Sequence, residues 1–126
     1  MAYILAVDDE PDWLALYAET LGGAGHSVRT YTNGQVAFNE MGESRPDLVI
    51  LDLRMAPSGR QLLWMIRRYW PGVPVIVSSA YGGYRDDPDF RSVDAFVEKS
   101  TDLTELVGAV DSILGGKESA GRCPGS

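Results

Sequence analysis

The chain has little of what most metal and nucleophile chemistry relies on. Its 126 residues include one cysteine, Cys123, and one histidine, His26. A single cysteine excludes an internal disulfide framework and a cysteine-rich zinc site. A single histidine excludes a histidine-cluster metal centre, and a Ser-His-Asp triad would depend on that one residue with no serine motif near it. Bases are also scarce: 11 stand against 18 acids, for a net charge of −7. A chain this acidic repels phosphate backbones, which argues against nucleic-acid binding through a basic face. Long hydrophobic runs are missing too. The longest, Tyr3–Val7, Leu48–Leu51 and Val73–Val77, fall far short of the roughly 20 apolar residues a membrane span needs. Tyr3–Val7 has no base before it and runs straight into Asp8, unlike a signal peptide. These absences point to a cytoplasmic protein with no membrane insertion.

What is present fits one ordinary globular domain, with 44% hydrophobic and 23% charged residues. Short β-prone runs occur at Tyr3–Val7, Ser27–Tyr31, Leu48–Leu51, Pro74–Ser78 and Ala95–Val97. The third and fourth are apolar at nearly every position, as in parallel strands covered on both faces. Helical patterns lie between the runs. Trp13, Tyr17 and Leu21 recur every fourth residue behind Pro11, and Gly22-Gly23 is expected to end that helix. A weaker stripe of Val36, Ala37 and Met41 marks a second helix over about 34–41. Leu62, Leu63, Ile66 and Tyr69 mark a third, stopped by Pro71-Gly72. Leu103, Leu106, Val107, Val110, Ile113 and Leu114 mark the last, with Thr101 or Asp102 as N-cap and Gly115-Gly116 as its end. Strand and helix alternate, so the expected fold is α/β, a doubly wound parallel sheet. Between Ser79 and Ala95 the glycines, proline and aspartates suit a loop with at most one or two helical turns. The expected organisation is a domain over 1–116 followed by a flexible tail or linker stub over 117–126. With too few residues after Gly116 for a further domain, the chain reads as a stand-alone protein or a fragment of a longer one.

In open parallel sheets ligands bind at the carboxyl ends of the strands. The first run ends in Asp8-Asp9-Glu10, the third in Asp52, the fourth in Ser78-Ser79 and the fifth in Glu98-Lys99. Taken singly each has a plain structural reading. Acids suit the start of a helix, serine caps turns, and lysine is an ordinary surface amine. Their conjunction at one rim is more specific. Clustered carboxylates repel unless a cation sits among them, and oxygen ligands of this kind suit Mg²⁺ or Mn²⁺ with phosphate oxygens completing the shell. A lysine and a hydroxyl opposite them can bind the remaining phosphoryl oxygens. The residues therefore read as a metal-assisted phosphoryl site with one carboxylate as candidate nucleophile.

Four ordered segments carry a family resemblance: Ile4-Leu-Ala-Val-Asp-Asp-Glu-Pro, Asp47-Leu-Val-Ile-Leu-Asp-Leu-Arg-Met, Pro74-Val-Ile-Val-Ser-Ser-Ala and Asp94-Ala-Phe-Val-Glu-Lys. Together they resemble the CheY-like receiver domains of two-component response regulators, over about residues 3–114. The resemblance implies a flavodoxin-like five-stranded sheet in the order 2-1-3-4-5, with a short or irregular fourth helix here. It implies that Asp52 accepts a phosphoryl group from the phosphohistidine of a sensor histidine kinase or phosphotransfer protein. Asp8 and Asp9 would hold the metal with Asp52 and the backbone carbonyl of Arg54. Lys99 and Ser79 would bind phosphoryl oxygens, small Ala80 would leave the acceptor accessible, and Ser79 and Phe96 would form the switch pair. Phe96 has plain core packing as its equal alternative. Arg54 and Tyr81 stand where the family tunes the phosphate's lifetime, and their bulk implies a long-lived aspartyl phosphate. Output would pass to an effector protein or output domain. Such a domain catalyses only its own phosphorylation and dephosphorylation, so it is a signalling protein rather than an enzyme.

Three departures matter. Ala56 precedes Pro57 and Gly59, as if one residue were deleted from the family's loop beside the metal. Ser100 replaces a proline whose preceding bond is commonly cis, and serine strongly favours trans. The helix-poor 81–94 segment replaces a common partner surface. These features favour an alternative, a pseudo-receiver that acts only as an interaction module. A haloacid-dehalogenase-like phosphatase fits poorly because Arg54 occupies the place of its second acid. A flavodoxin fits poorly because Asp8-Asp9-Glu10 would repel a flavin phosphate.

Overall fold

The structure is a computed structural model that describes residues 2–52, 58–79, 93–99 and 103–122. Its elements run β1 (Tyr3–Val7), α1 (Pro11–Gly23), β2 (Ser27–Tyr31), α2 (Gly34–Glu43), β3 (Leu48–Leu51), α3 (Ser58–Tyr69), β4 (Val75–Ser79), β5 (Ala95–Glu98) and α4 (Thr104–Arg122). All strand pairs are parallel, in the order β2-β1-β3-β4-β5. The expected sheet order is therefore the observed one. The segments over 53–57, 80–92 and 100–102 lie outside the described residues, and with them the fourth-helix expectation and the proposed caps Thr101 and Asp102.

Alternation along the strands divides the core into two layers. Leu5, Val7, Val49, Leu51, Val75 and Val77 pack with Ala37, Met41, Leu62, Leu63 and Ile66 of α2 and α3. Ile4, Ala6, Leu48, Ile50 and Ile76 pack with Leu14, Tyr17, Leu21, Leu106, Val110 and Leu114 of α1 and α4. These strand residues are all at most 1% exposed, so each large one contributes about 1.5–3 kcal/mol of burial. β2, at the edge, alternates less and has no fully buried residue.

Local chemistry sets the helix limits. Asn33 caps α2 by accepting from Gln35 N at 2.8 Å and Val36 N at 3.1 Å. The end of α1 departs from expectation. Gly22 and Gly23 stay inside the helix, and the chain turns at Gly25, whose φ is +98°. Gly25 N donates to Gly22 O at 3.0 Å and His26 N to Leu21 O at 3.1 Å, the paired bonds of a Schellman motif. α4 likewise passes through Gly115-Gly116 to Arg122 instead of ending there. Glycine weakens a helix but keeps its N–H donor, so it ends one only where the backbone turns left-handed. Two stripe assignments also change, since Val36 is 49% and Tyr69 58% exposed. Helical spacing fixes only a direction around the axis, and at these two positions that direction leaves the side chain largely in solvent.

Candidate functional site

The register of β1 and β3 decides the site. Val7 pairs with Leu51, so the next residues, Asp8 and Asp52, emerge side by side at the carboxyl rim. Backbone bonds hold both: Asp8 N donates to Tyr31 O at 3.1 Å and Asp52 N to Val7 O at 3.0 Å. Glu10 N donates to Asp8 Oδ1 at 2.9 Å, so the aspartate also fastens the turn into α1. On the far side Ser79 pairs with Glu98, which brings the ends of β4 and β5 to the same rim.

Asp8, Asp9 and Asp52 each offer a carboxylate oxygen within 4.8 Å of the others. Asp8 and Asp52 are buried and Asp9 is exposed. Lys99 reaches across, its Nζ 2.7 Å from Asp8 Oδ2 and 3.0 Å from Asp52 Oδ2, with its side chain 3% exposed. The expected convergence of the two acidic segments with Lys99 is thus a geometric fact. The side chain of Ser79 lies outside what the structure describes, although its backbone ends β4. Arg54, Ala80, Tyr81 and Ser100 lie outside it as well. Phe96 is half-buried and packs against the core layer under α2 and α3.

The electrostatics follow from burial. Burial pushes the Asp8 carboxyl up to about 6; the Lys99 ammonium and the Glu10 N–H oppose the rise, and the charge of Asp52 adds to it. For Lys99, burial pulls downward, but the two carboxylates outweigh it and hold the ammonium above its usual range. Asp8 Oδ2 is buried with only the ion pair to Lys99 and no well-formed hydrogen bond. An oxygen-only donor set with one such under-bonded oxygen suits a hard divalent cation, so the residues fit Mg²⁺.

Two contacts escape sequence reasoning. The Trp13 ring, which enters the notional apolar stripe of α1 only as a spacing match, lies with its centroid 5.4 Å from Lys99 Nζ, within cation–π range. The Tyr17 hydroxyl and Ser78 Oγ share a fully buried hydrogen bond of 2.8 Å behind the site. Burial drives the Tyr17 hydroxyl up to about 12, against the opposing bond to Ser78. A tyrosine in an apolar helix stripe opposite a serine in an apolar strand was the available signal.

The chain resembles known proteins in both sequence and fold. The family profile for the response regulator receiver domain matches residues 4–111. The transcriptional regulatory protein GlrR of Escherichia coli (strain K12) is 36% identical over 116 residues, covering 90% of this chain and 26% of that protein. The nitrogen assimilation regulatory protein NtrX of Azorhizobium caulinodans is 42% identical over 109 residues, covering 82% of this chain and 24% of its own. The chain therefore spans about a quarter of the length of these curated relatives. Among solved structures, the response regulator TrrA of Thermotoga maritima in complex with Mg(2+)-BeF gives a TM-score of 0.85 at 35% identity, covering 90% of this chain and 99% of that one. TrrA in complex with the histidine kinase ThkA gives 0.83 at 36% identity, with the same coverage. Because the profile runs from β1 into α4 and takes in Asp8, Asp52 and Lys99 on its way, the chain belongs to the response regulator receiver domains of two-component signalling.

Proposed function

We propose that this receiver domain is a phosphorylation-controlled switch with Asp52 as its phosphoacceptor. The observation that carries the reading is the position of Asp52, buried beside Asp8 and in contact with Lys99 at 3.0 Å. A carboxylate oxygen of Asp52 attacks the phosphorus of a phosphohistidine, an O–P bond forms as the N–P bond breaks, and the imidazole leaves. Attack by water on that phosphorus later regenerates Asp52 and releases phosphate. Asp8, Asp9, Asp52 and the Arg54 carbonyl would hold Mg²⁺, which would supply neutralisation of charge on the phosphoryl oxygens. Mn²⁺ is of the same ligand preference. Lys99 presents a positive charge in a nearly dry site, where its stabilisation of developing charge on the phosphoryl group is strongest. Ser79 supplies a hydroxyl to another oxygen and, with Phe96, relays the change to the surface. Arg54 and Tyr81 shield the aspartyl phosphate from water.

TrrA binds Mg(2+)-BeF and the histidine kinase ThkA, which supports a sensor kinase or phosphotransfer protein as the donor here. The full-length relatives are transcriptional regulators, which supports an effector or output domain as the recipient, all in the cytoplasm. The domain transforms only itself and is a signalling component rather than a metabolic enzyme. The intact acidic cluster and Lys99 count against the pseudo-receiver alternative. Intact mass after acetyl phosphate and Mg²⁺ tests the proposal. One added phosphoryl group that Asp52→Asn abolishes is expected, and an unmodified wild-type chain would overturn it.

A further inference from the structure

α3 is the basic helix of an acidic molecule. It carries Arg60, Arg67 and Arg68 and no acid, within a chain of net charge −7. α1 and α2, by contrast, carry acids and no base. Arg67 serves the fold, bonding Val73 O at 2.9 Å and Asp94 at 3.1 Å. The others face outward. Arg60, Trp64 and Arg68 follow one another at four-residue spacing, so they share one ridge of the helix. Trp64 is 62% exposed, and Tyr69, 58% exposed, flanks it. The Arg68 guanidinium lies 5.6 Å from the Trp64 ring centroid and 6.0 Å from that of Tyr69.

Beyond the end of the ridge lies a groove of about 450 Å³, whose lining includes Arg45, Asp47, Tyr69, Trp70 and Val73; the Asp47 carboxylate is engaged by the backbone, accepting from Tyr3 N at 2.9 Å. Arg45 stacks over Trp70 at 5.1 Å, and Phe38 packs against both Tyr69 and Trp70. A guanidinium lying on a ring keeps its in-plane N–H groups available, and those match carboxylates in paired fashion. Arginine and aromatic side chains are also the residues that anchor interfaces.

We propose that the α3 ridge and this groove form a docking surface for an acidic protein segment with an apolar anchor. Its carboxylates meet Arg45 and Arg68, and its anchor enters the groove beside Trp70. Charge selects this occupant over the others. A symmetric second copy would set the arginines of α3 against themselves. A nucleic acid would need a longer basic face for its run of phosphates than Arg45, Arg60 and Arg68 provide. The groove sits at the amino ends of β3 and β4, the opposite edge of the sheet from Asp8, Asp52 and Lys99. Docking is therefore independent of the switch reading, and either can fail alone.

Fluorescence anisotropy on the full chain tests this, with a labelled peptide alternating Glu or Asp with Leu and Trp. A charge-reversed lysine version and a single-stranded oligonucleotide serve as competing probes. Saturable binding of the acidic peptide is expected, weakened about tenfold by Arg68→Glu or by Trp64→Ala, both changes of exposed residues, and largely kept by Trp64→Phe. Binding should weaken as salt rises from about 0.05 to about 0.5 M, and stay unchanged with beryllofluoride and Mg²⁺. No acidic-peptide binding, equal binding of the lysine version, preference for the oligonucleotide, or indifference to both variants would overturn the proposal.

Discussion

Lys99→Met tests how the site is held together. The ammonium lies 2.7 Å from Asp8 and 3.0 Å from Asp52, and the three side chains are 1–3% exposed. At an effective dielectric of about 20, one such contact is worth about 6 kcal/mol by Coulomb's law before desolvation is subtracted. Removing one partner of a buried pair typically costs about 3–5 kcal/mol, and we expect that loss at pH 7 without metal. The loss depends on pH. Asp8 already sits near 6 with the lysine in place, against an ordinary 3.8, and rises further without it. A carboxyl raised on folding costs stability as pH climbs from its unfolded towards its folded value, because the folded chain must then give up a proton it holds more tightly. The variant's deficit should therefore be small near pH 4 and grow towards pH 7. Mg²⁺ should reverse much of it, since the ion replaces the missing charge, and should bind about tenfold more tightly without a competing ammonium nearby. Phosphorylation by acetyl phosphate should slow by about a hundredfold or more. Urea unfolding at pH 5 and 7, with and without Mg²⁺, reads the first effects, and intact mass reads the last. A deficit equal at both pH values and untouched by Mg²⁺ would refute the reasoning.

Four further outcomes follow from the site and from the turns and contacts around it. Mg²⁺ affinity of the wild-type chain should fall about tenfold from pH 7 to pH 5, because Asp8 must shed its proton to act as a ligand; a calorimetric titration that is flat over this range would contradict the assignment. Tyr17→Phe leaves Ser78 Oγ buried without its partner and should cost about 1–3 kcal/mol, most of it regained in Tyr17→Phe/Ser78→Ala; equal losses in the single and double variants would count against it. The same hydroxyl, pushed up to about 12, ionises first in the unfolded chain, so stability should drop between pH 10 and 12, and Tyr17→Phe should flatten that drop in alkaline unfolding followed by circular dichroism. Gly25→Ala should cost about 1–2 kcal/mol through its left-handed φ alone, since an added Cβ meets nothing within 4 Å; a neutral thermal melt would show that the turn relaxes.

Much of the site was readable from four short segments. β1 and β3 announce themselves as apolar runs, and Asp8 and Asp52 stand one residue past each. Strand ends at one rim of a parallel sheet follow from the alternation of strands and helices. The misreadings were of another kind. Gly22-Gly23 and Gly115-Gly116 look like stops because glycine is common there, yet among the described residues only Gly25 adopts the backbone angle that ends a helix. Tyr69 fitted the periodicity of α3 and nevertheless faces solvent, because spacing gives a direction around the axis and not the width of what covers it.

Sequence by itself determined the strands, their order of appearance and the chemistry at their ends, since these depend on local period and residue type. Tertiary structure alone decided that Lys99, 47 residues from Asp52, lies 3.0 Å from it, that Trp13 lies beside the same ammonium, and that Tyr17 meets Ser78 across 61 residues. The reason is physical. Period and propensity act within a few residues, whereas these contacts arise from the register between strands and the packing of helices across the sheet, which form only when the whole chain condenses.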